Sequence, residues 1–377
     1  MIELLDDLDR WRAAGLDVVI ARVVDIDGSG PRLPGAAMAV SADGEVAGSV
    51  SGGCVEGAVV SEALELLASN GPPRAVSFGY SDDEAFAVGL TCGGTVHLFL
   101  DVLPRDASAR DAFDALTEAL RARRPAAWVT VIEGPHLGAS LLVEPDDRAT
   151  GQPRVHGSLG DADLDRVVAR DALGELEVGS TIVRHYGEHG EAREATVAVF
   201  VESFAPPARL FVFGAVDFTK ALVRVAKVLG FHVTVCDARE VFATRRRFPQ
   251  ADEVVVDWPH RLIERVQQEG PPLGPRDAVC VLTHDHKFDV PAIIATLATD
   301  VGYVGAMGSR RTHAERIDRL QHEGIEPQAL ARVMAPIGLD IGGRTPEETA
   351  VAICAEIIAV RTGRSAPSLR DSSGPIH

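Results

Sequence analysis

The chain has 377 residues, with 46% apolar and 24% charged side chains, enough for two or three soluble domains with proper cores. A formal charge of −18 excludes generic binding to nucleic acid or to an anionic membrane, since both require a positive face. Five cysteines at 54, 92, 236, 280 and 354, widely spaced and without a CxxC pair, speak against a disulfide framework or a structural zinc site and fit a reducing, cytoplasmic setting.

Met1–Arg10 reads as an acidic amphipathic helix rather than a signal peptide, and no apolar run approaches the roughly 18 residues of a membrane span. Asp17–Val24 has the pattern of a buried strand and is followed by the glycine- and proline-rich loop Asp25–Gly35. Ala36–Ser41 and Glu45–Val50 form a hairpin about the turn Ala42-Asp43-Gly44. The hairpin delivers the chain to Gly48-Ser-Val-Ser-Gly-Gly-Cys-Val-Glu56, and the apolar spacing of Ala58–Asn70 predicts a helix directly after it. Cys54 therefore falls in or just before the first helical turn. Backbone N–H groups and the helix dipole there favour an anion and lower a thiol's pKa. Ser51, Gly52, Gly53 and Glu56 surround the thiol, and Arg32 in the preceding loop is a candidate anion contact.

Strands are expected at Arg74–Tyr80 and Thr95–Leu103, separated by the acidic turn Ser81–Glu84, the segment Phe86–Leu90 and a second cysteine segment, Thr91-Cys-Gly-Gly-Thr95. Cys92 is the second thiol candidate. Ser108–Arg123 reads as a helix, residues 126–203 as strands and polar turns, and Thr196–Phe204 as a strand closing the sheet of the first domain. Pro206-Pro207 is the linker, which gives an N-terminal α+β domain over 1–205. No stretch of the chain reads as an internal repeat.

From Ala208 the pattern alternates strand and helix: a strand at Leu210–Phe213, a helix at Phe218–Leu229, a strand at Phe231–Cys236 ending at Asp237, and strands at Glu253–Val256, Ala278–Leu282 and Val301–Gly305, each of these three followed by a helix. This is an α/β, doubly wound, Rossmann-like parallel sheet over 208–364, with ligand loops at the carboxyl ends of its strands. The tail 365–377 has a disordered composition. Gly214-Ala-Val-Asp-Phe-Thr219 keeps one glycine of the dinucleotide fingerprint, and Asp237 stands where the ribose acid belongs. Val216 and Asp217 weigh against NAD(P) at this loop, the first by its branched side chain and the second by its charge.

Three further loops share this edge. Thr283-His-Asp-His-Lys287, with Asp289, reads as a helix cap before it reads as a metal site, and His284 remains a ligand candidate. Gly305-Ala-Met-Gly-Ser-Arg-Arg-Thr312 places Ser309 and Arg310 at a helix start suited to phosphate. In Ala335–Thr345, Thr345-Pro-Glu-Glu348 is a capping box, which leaves Asp340 and Arg344 as candidate contacts. Cys236, Cys280 and Cys354 read as core residues.

Taken in order, Gly28-Ser-Gly-Pro-Arg-Leu-Pro-Gly35, Gly48–Glu56, Cys92-Gly-Gly94, Thr283–His286, Gly305–Arg310 and Pro336–Glu348 resemble the XdhC/CoxI family. The resemblance implies an accessory factor that binds molybdenum cofactor, either molybdopterin or its cytosine dinucleotide. Such a factor holds the cofactor for sulfuration and passes it to the apoenzyme of a molybdenum hydroxylase such as xanthine or carbon monoxide dehydrogenase. It further implies thiol roles for Cys54 and Cys92, a cysteine desulfurase as a second partner, and a homodimer. The fingerprint departs from the family's Gly-Ala-Gly-His at Val216 and Asp217. Two other functions stay open on the residues alone: an NAD(P)-dependent oxidoreductase using Asp237, and a sulfur-transfer protein working through a Cys54 persulfide.

Overall fold

The computed structural model describes residues 1–28, 30, 32–79, 94–103, 107–145 and 153–371. Cys92, the turn at 81–84, the segment 86–90 and the end of the tail from 372 lie outside the described residues. The chain divides into two compact units, Met1–Pro206 together with the residues from Leu369, and Pro207–Ser368. No described helix is long and apolar enough to cross a membrane.

In the first unit a short 3-10 turn leads into α1 (Leu5–Ala13), followed by β1 (Val18–Asp27), β2 (Ala37–Ser41), β3 (Val46–Gly48), α2 (Glu56–Ser69), β4 (Arg74–Gly79) and β5 (Thr95–Val102). The chain then continues through α3 (Ala107–Arg121), β6 (Ala126–Glu133), β7 (Ser140–Glu144), β8 (Arg154–Gly157), α4 (Ala162–Val178), β9 (Ile182–Tyr186) and β10 (Val197–Phe204). Two five-stranded antiparallel sheets result, ordered β3-β2-β1-β5-β4 and β8-β7-β6-β10-β9. The expectation of a single sheet closed by Thr196–Phe204 is corrected: β10 lies inside a second sheet, between β6 and β9. The 17-residue helix α4, inside a segment read as strands and turns, was also missed. Its first turn is rich in Asp and its apolar residues are spaced among small ones, so its periodicity is weak on paper.

The two sheets are copies of one motif, which corrects the reading of the sequence as free of repeats. Element order and strand order are the same in both halves, and the irregular backbone repeats bond for bond. Val23 N donates to Ala36 O and Gly35 N to Val23 O, as Val131 N does to Ala139 O and Gly138 N to Val131 O. The chain leaves α1 through Leu16 N→Trp11 O and α3 through Arg124 N→Ala119 O. Asn70 and Gly179, both left-handed, end α2 and α4.

Inner residues of both sheets, among them Ile20, Ala39, Trp128 and Leu142, share one core with α1 and α3. α2 covers the other face of the first sheet and α4 that of the second. Arg22 crosses between the sheets. Its Nη1 donates to Thr130 Oγ1 at 3.0 Å and to Glu202 Oε2 at 2.9 Å, and its Nη2 lies 3.7 Å from Asp101. Asp101 and Glu202 are themselves equivalent, opposite Ile20 and Trp128 in their ladders.

The second unit comprises β11 (Arg209–Phe213), α5 (Asp217–Val228), β12 (His232–Cys236), β13 (Glu253–Val255), α6 (Pro259–Glu269), β14 (Ala278–Val281), α7 (His286–Leu297), β15 (Tyr303–Ala306), α8 (Arg310–His322), the single turn α9 (Pro327–Leu330), β16 (Val333–Met334) and α10 (Pro346–Thr362). All its pairings are parallel, in the order β13-β12-β11-β14-β15-β16. Numbered from β11, this is the 3-2-1-4-5-6 order of the Rossmann fold. Leu210, Val212, Val235 and Cys280 face α5 and α10, while Phe211, Phe213, Cys236 and Val281 face α6, α7 and α8. Burial on both faces is why these strands read as continuous apolar runs.

Candidate functional site

The cysteine turn of the first unit is held by a carboxylate. Glu56 Oε1 accepts from Ser49 Oγ at 2.6 Å and Ser51 N at 2.9 Å, and Oε2 accepts from Ser51 Oγ at 2.6 Å and Gly53 N at 2.9 Å. Ser49 Oγ accepts from Gly52 N, and Ser51 Oγ accepts from Cys54 N and Val55 N. Every N–H from 51 to 55 is thus bonded within the turn. The expectation of unpaired N–H groups around Cys54 is corrected for residues 51–55, where Glu56 is the anion of the turn. Burial opposes its ionisation, but the Ser49 and Ser51 hydroxyls and the backbone donors outweigh it and bring its carboxyl down to about 2.

What the turn leaves open is the thiol and its glycine flank. Cys54 is half-buried at the edge of the core under α2 and carries no disulfide. Gly52 and Gly53 have φ of +79° and +120°, and a Cβ at either would meet nothing within 4 Å. Gly48 differs, since a Cβ there would come within 2.4 Å of Ala37 O, and only glycine lets β3 turn this closely over β2. Arg32 is exposed on the loop before β2, as is Leu33.

The second copy has a turn at the equivalent place without the thiol; it keeps the serine–carboxylate clasp but caps its helix with Asp161, which accepts from Asp163 N and Leu164 N. A Cβ at Gly157 would come within 2.4 Å of Ser140 O, as one at Gly48 would of Ala37 O. Ser158 Oγ and Leu159 N donate to Asp165, and Gly160 N donates to Ser158 Oγ. His136 packs against Gly160, and His189 Nδ1 lies 2.9 Å from Asp161. Asp163 occupies the place of Cys54. Only one of the two equivalent turns carries a cysteine and an open flank.

In the second unit the loops after β11, β12, β14, β15 and β16 lie along one sheet edge and carry Gly214, Asp237, His284, Ser309, Arg310, Asp340 and Arg344. Gly214, with φ of +113°, packs its Cα against Thr283, where a Cβ would come within 2.8 Å of the threonine methyl. Asp237 is buried and fully engaged. It accepts from Ala215 N at 2.8 Å, from Arg239 N and Nε at 2.9 Å each, and from Arg239 Nη2 at 2.8 Å. Burial raises its pKa, but these donors prevail and the carboxyl lies below its usual range. The acid expected on a ribose is therefore closed by Arg239, two residues on. Asp217 sits in the first turn of α5, exposed, 3.9 Å from Lys220 and 4.0 Å from Arg247.

Asp285 caps α7 through Lys287 N, and His284 is exposed. Among the described residues no cluster of His, Cys, Asp or Glu has metal-ligand geometry. Ser309 caps α8 by accepting from Thr312 N at 3.1 Å, and Arg310 beside it is exposed. Beneath them lies a pair that the sequence reading missed: buried Arg316 donates to Asp289 at 3.0 Å and to Met307 O at 2.8 Å, and Asp289 also accepts from Thr283 Oγ1. This network ties the loop after β14 to the loop after β15. Arg316 follows Arg310 by six positions on an exposed-looking helix, so spacing gave no sign of it. Thr345 and Glu348 make the expected capping box, and Glu348 also accepts from Arg344 N, which leaves the side chains of Asp340 and Arg344 exposed.

Comparison with known proteins agrees with both units. The sequence model described as XdhC and CoxI family matches over residues 11–79 and 119–187, segments of equal length that begin at equivalent positions of the two repeats. The model described as XdhC Rossmann domain matches residues 210–357. A Bacillus subtilis (strain 168) protein named as a probable xanthine dehydrogenase subunit is 28% identical over 92% of this chain and 93% of its own length. The molybdenum cofactor insertion chaperone PaoD of Escherichia coli (strain K12) is 27% identical over 92% of this chain and 85% of its own. A crystal structure described as a xanthine dehydrogenase from Bacillus halodurans superposes with a TM-score of 0.62 at 26% identity, covering 97% of this chain and 98% of that one. The two repeats of the first unit and the Rossmann order of the second thus place the chain in the XdhC and CoxI family.

Proposed function

We propose that this chain binds molybdenum cofactor and delivers it to the apoenzyme of a molybdenum hydroxylase, with Cys54 as the thiol that meets the cofactor. One observation carries the reading: of two equivalent turns, each clasped by a serine hydroxyl on a helix carboxylate, only the first presents a cysteine, flanked by glycines with open space beyond them. The relative named as a molybdenum cofactor insertion chaperone spans nearly all of the chain, which supports the same role.

The residues fit such a group in a particular way. Because Glu56, Ser49 and Ser51 take up the N–H groups of residues 51–55, these offer no donors to the phosphate end of the cofactor. It offers a soft sulfur ligand and bare backbone, which suit the molybdenum–sulfur end. When bound, the cofactor supplies a soft metal centre with sulfur ligands. Cys54 would hold that end, Glu56 would fix the position of the thiol from below, and Gly52 and Gly53 would admit a bulky group beside it. In the Rossmann unit, Ser309, Arg310, Arg344 and His284 are the candidate contacts for anionic parts of a ligand. Sulfuration while the cofactor is held, with a cysteine desulfurase as donor, belongs to the same proposal, as do homodimerisation and a cytoplasmic location. An NAD(P) oxidoreductase is not favoured, since Asp237 is closed by Arg239 and Asp217 occupies the helix start.

The test is binding of anaerobically released molybdenum cofactor to wild type and to Cys54→Ser, followed by absorbance and mass. Binding at micromolar level or tighter that weakens at least tenfold in the variant is expected. Equal binding by both would remove Cys54 from the site, and absence of binding beside clear binding of NAD(H) would overturn the whole reading.

A further inference from the structure

In a chain with 55 acidic and 37 basic residues, excluding histidine, one groove of the Rossmann unit is lined by cations alone among its charged residues. It lies between the first half of α5 and the loop after β12, with a volume of about 420 Å³. Lys220 and Arg224 reach it from the helix, and Arg246 and Arg247 from the loop. Neither Gly214 nor Asp237 lines it, and the fingerprint turn meets it only through Asp217.

Among the described residues, only Arg224 of the four cations has a close carboxylate partner. Lys220 and Arg247 share the exposed carboxylate of Asp217 at 3.9 and 4.0 Å, the limit of an ion pair. Arg224 pairs with Glu347 at 2.6 Å, and among the described residues no carboxylate pairs with the exposed Arg246. Arg247 is also held in place, its guanidinium 5.4 Å from the ring of Phe242 and 5.5 Å from that of Phe248. A guanidinium held between aromatic rings beside further cations suits a ligand of several negative charges, and guanidinium forks match phosphate oxygens best. The volume falls in the range of about 300–1,000 Å³ usual for small-molecule sites.

We propose that this groove binds an organic diphosphate of the nucleoside diphosphate class, with Lys220, Arg246 and Arg247 on its phosphates. The site goes beyond the cofactor reading and does not depend on it. If that reading holds, the diphosphate arm of a dinucleotide cofactor is one source of the ligand, and a free nucleotide is the other.

The test is calorimetric titration of the full chain at low salt with CDP, ADP and inorganic pyrophosphate. Wild type, the double variant Lys220→Gln/Arg246→Gln and Cys54→Ser are compared, with circular dichroism to check folding. Binding that weakens tenfold or more in the double variant, falls with added salt and is unchanged in Cys54→Ser is expected. Equal binding by wild type and the folded double variant, or no binding of any diphosphate, would overturn it. So would binding of a polyglutamate peptide where no diphosphate binds, which would assign the groove to an acidic protein segment. Displacement of CDP by the dinucleotide form of the cofactor, but not by the plain pterin, would identify the cofactor arm as the source. Displacement by neither would identify a free nucleotide. If no form of the cofactor binds while CDP does, the chaperone reading fails and the groove stands.

Discussion

Glu56 shows how a residue that looks like a ligand contact can be the frame of a site. Four donors converge on its carboxylate, so Glu56→Gln leaves some of them facing an amide NH₂. For this partly exposed group a loss of about 1–2 kcal/mol is expected, measured by urea unfolding at pH 7. Folding lowers this carboxyl from 4.5 to about 2. Its contribution is therefore complete above about pH 4.5 and fades as pH falls toward 2. Wild type and Glu56→Gln should converge in stability over that window; a gap that persists unchanged at pH 2.5 would show that the ionised carboxylate is not the source. Asp101 runs the other way. Burial outweighs Arg22 and raises its carboxyl from 3.8 to about 6, so its contribution is full below 3.8 and is lost as pH rises through 6. Asp101→Asn should remove that decline, and matching pH–stability slopes for variant and wild type between 4 and 6.5 would refute the assignment.

Turns and strands of the duplicated motif carry the next level of constraint. Gly48 and Gly157 each sit where a Cβ would press to 2.4 Å on a carbonyl oxygen of the neighbouring strand. Gly48→Ala and Gly157→Ala should therefore cost alike, about 2–4 kcal/mol each from strain and overpacking. Gly52→Ala, with open space around it, should cost only the left-handed backbone penalty of about 1 kcal/mol. Thermal unfolding of the three variants decides the matter: a large effect at Gly48 with none at Gly157 would mean that the copies are not mechanically equivalent. The hairpin into the cysteine turn was legible in the sequence because Asp43-Gly44 between alternating apolar runs is a local signal. The duplication was not. The copies share carbonyl positions, glycine conformations and the serine–carboxylate clasp, while their side chains have diverged from Cys54 to Asp163 and from Arg22 to Thr130. Asp237 was found by its spacing, but its closure by Arg239 is a side-chain rotamer matter that no spacing encodes.

At the scale of the whole molecule, where the cores draw their residues decides which pieces can stand alone. Both cores of the Rossmann unit are assembled from residues between Ala208 and Val360, and the alternation of strand and helix that announced this fold is a consequence of that closure. Residues 207–368 expressed alone should unfold cooperatively; a product that binds hydrophobic dyes and lacks a transition would contradict this. The first unit is different despite its repeat. Its central core joins Leu8, Trp11 and Ile20 of the first copy to Phe113, Leu116 and Trp128, and buried Arg22 finds Thr130 and Glu202 only across the sheets. Removing one member of such a pair strands a buried charge at a cost of about 3–5 kcal/mol. Arg22→Met in the full chain should show that cost, and Arg22→Met/Glu202→Met should recover part of it. A fragment of residues 1–103 lacks the partner sheet entirely, so it should give no cooperative monomer. A folded, monomeric 1–103 would mean that each copy still holds a sufficient core of its own.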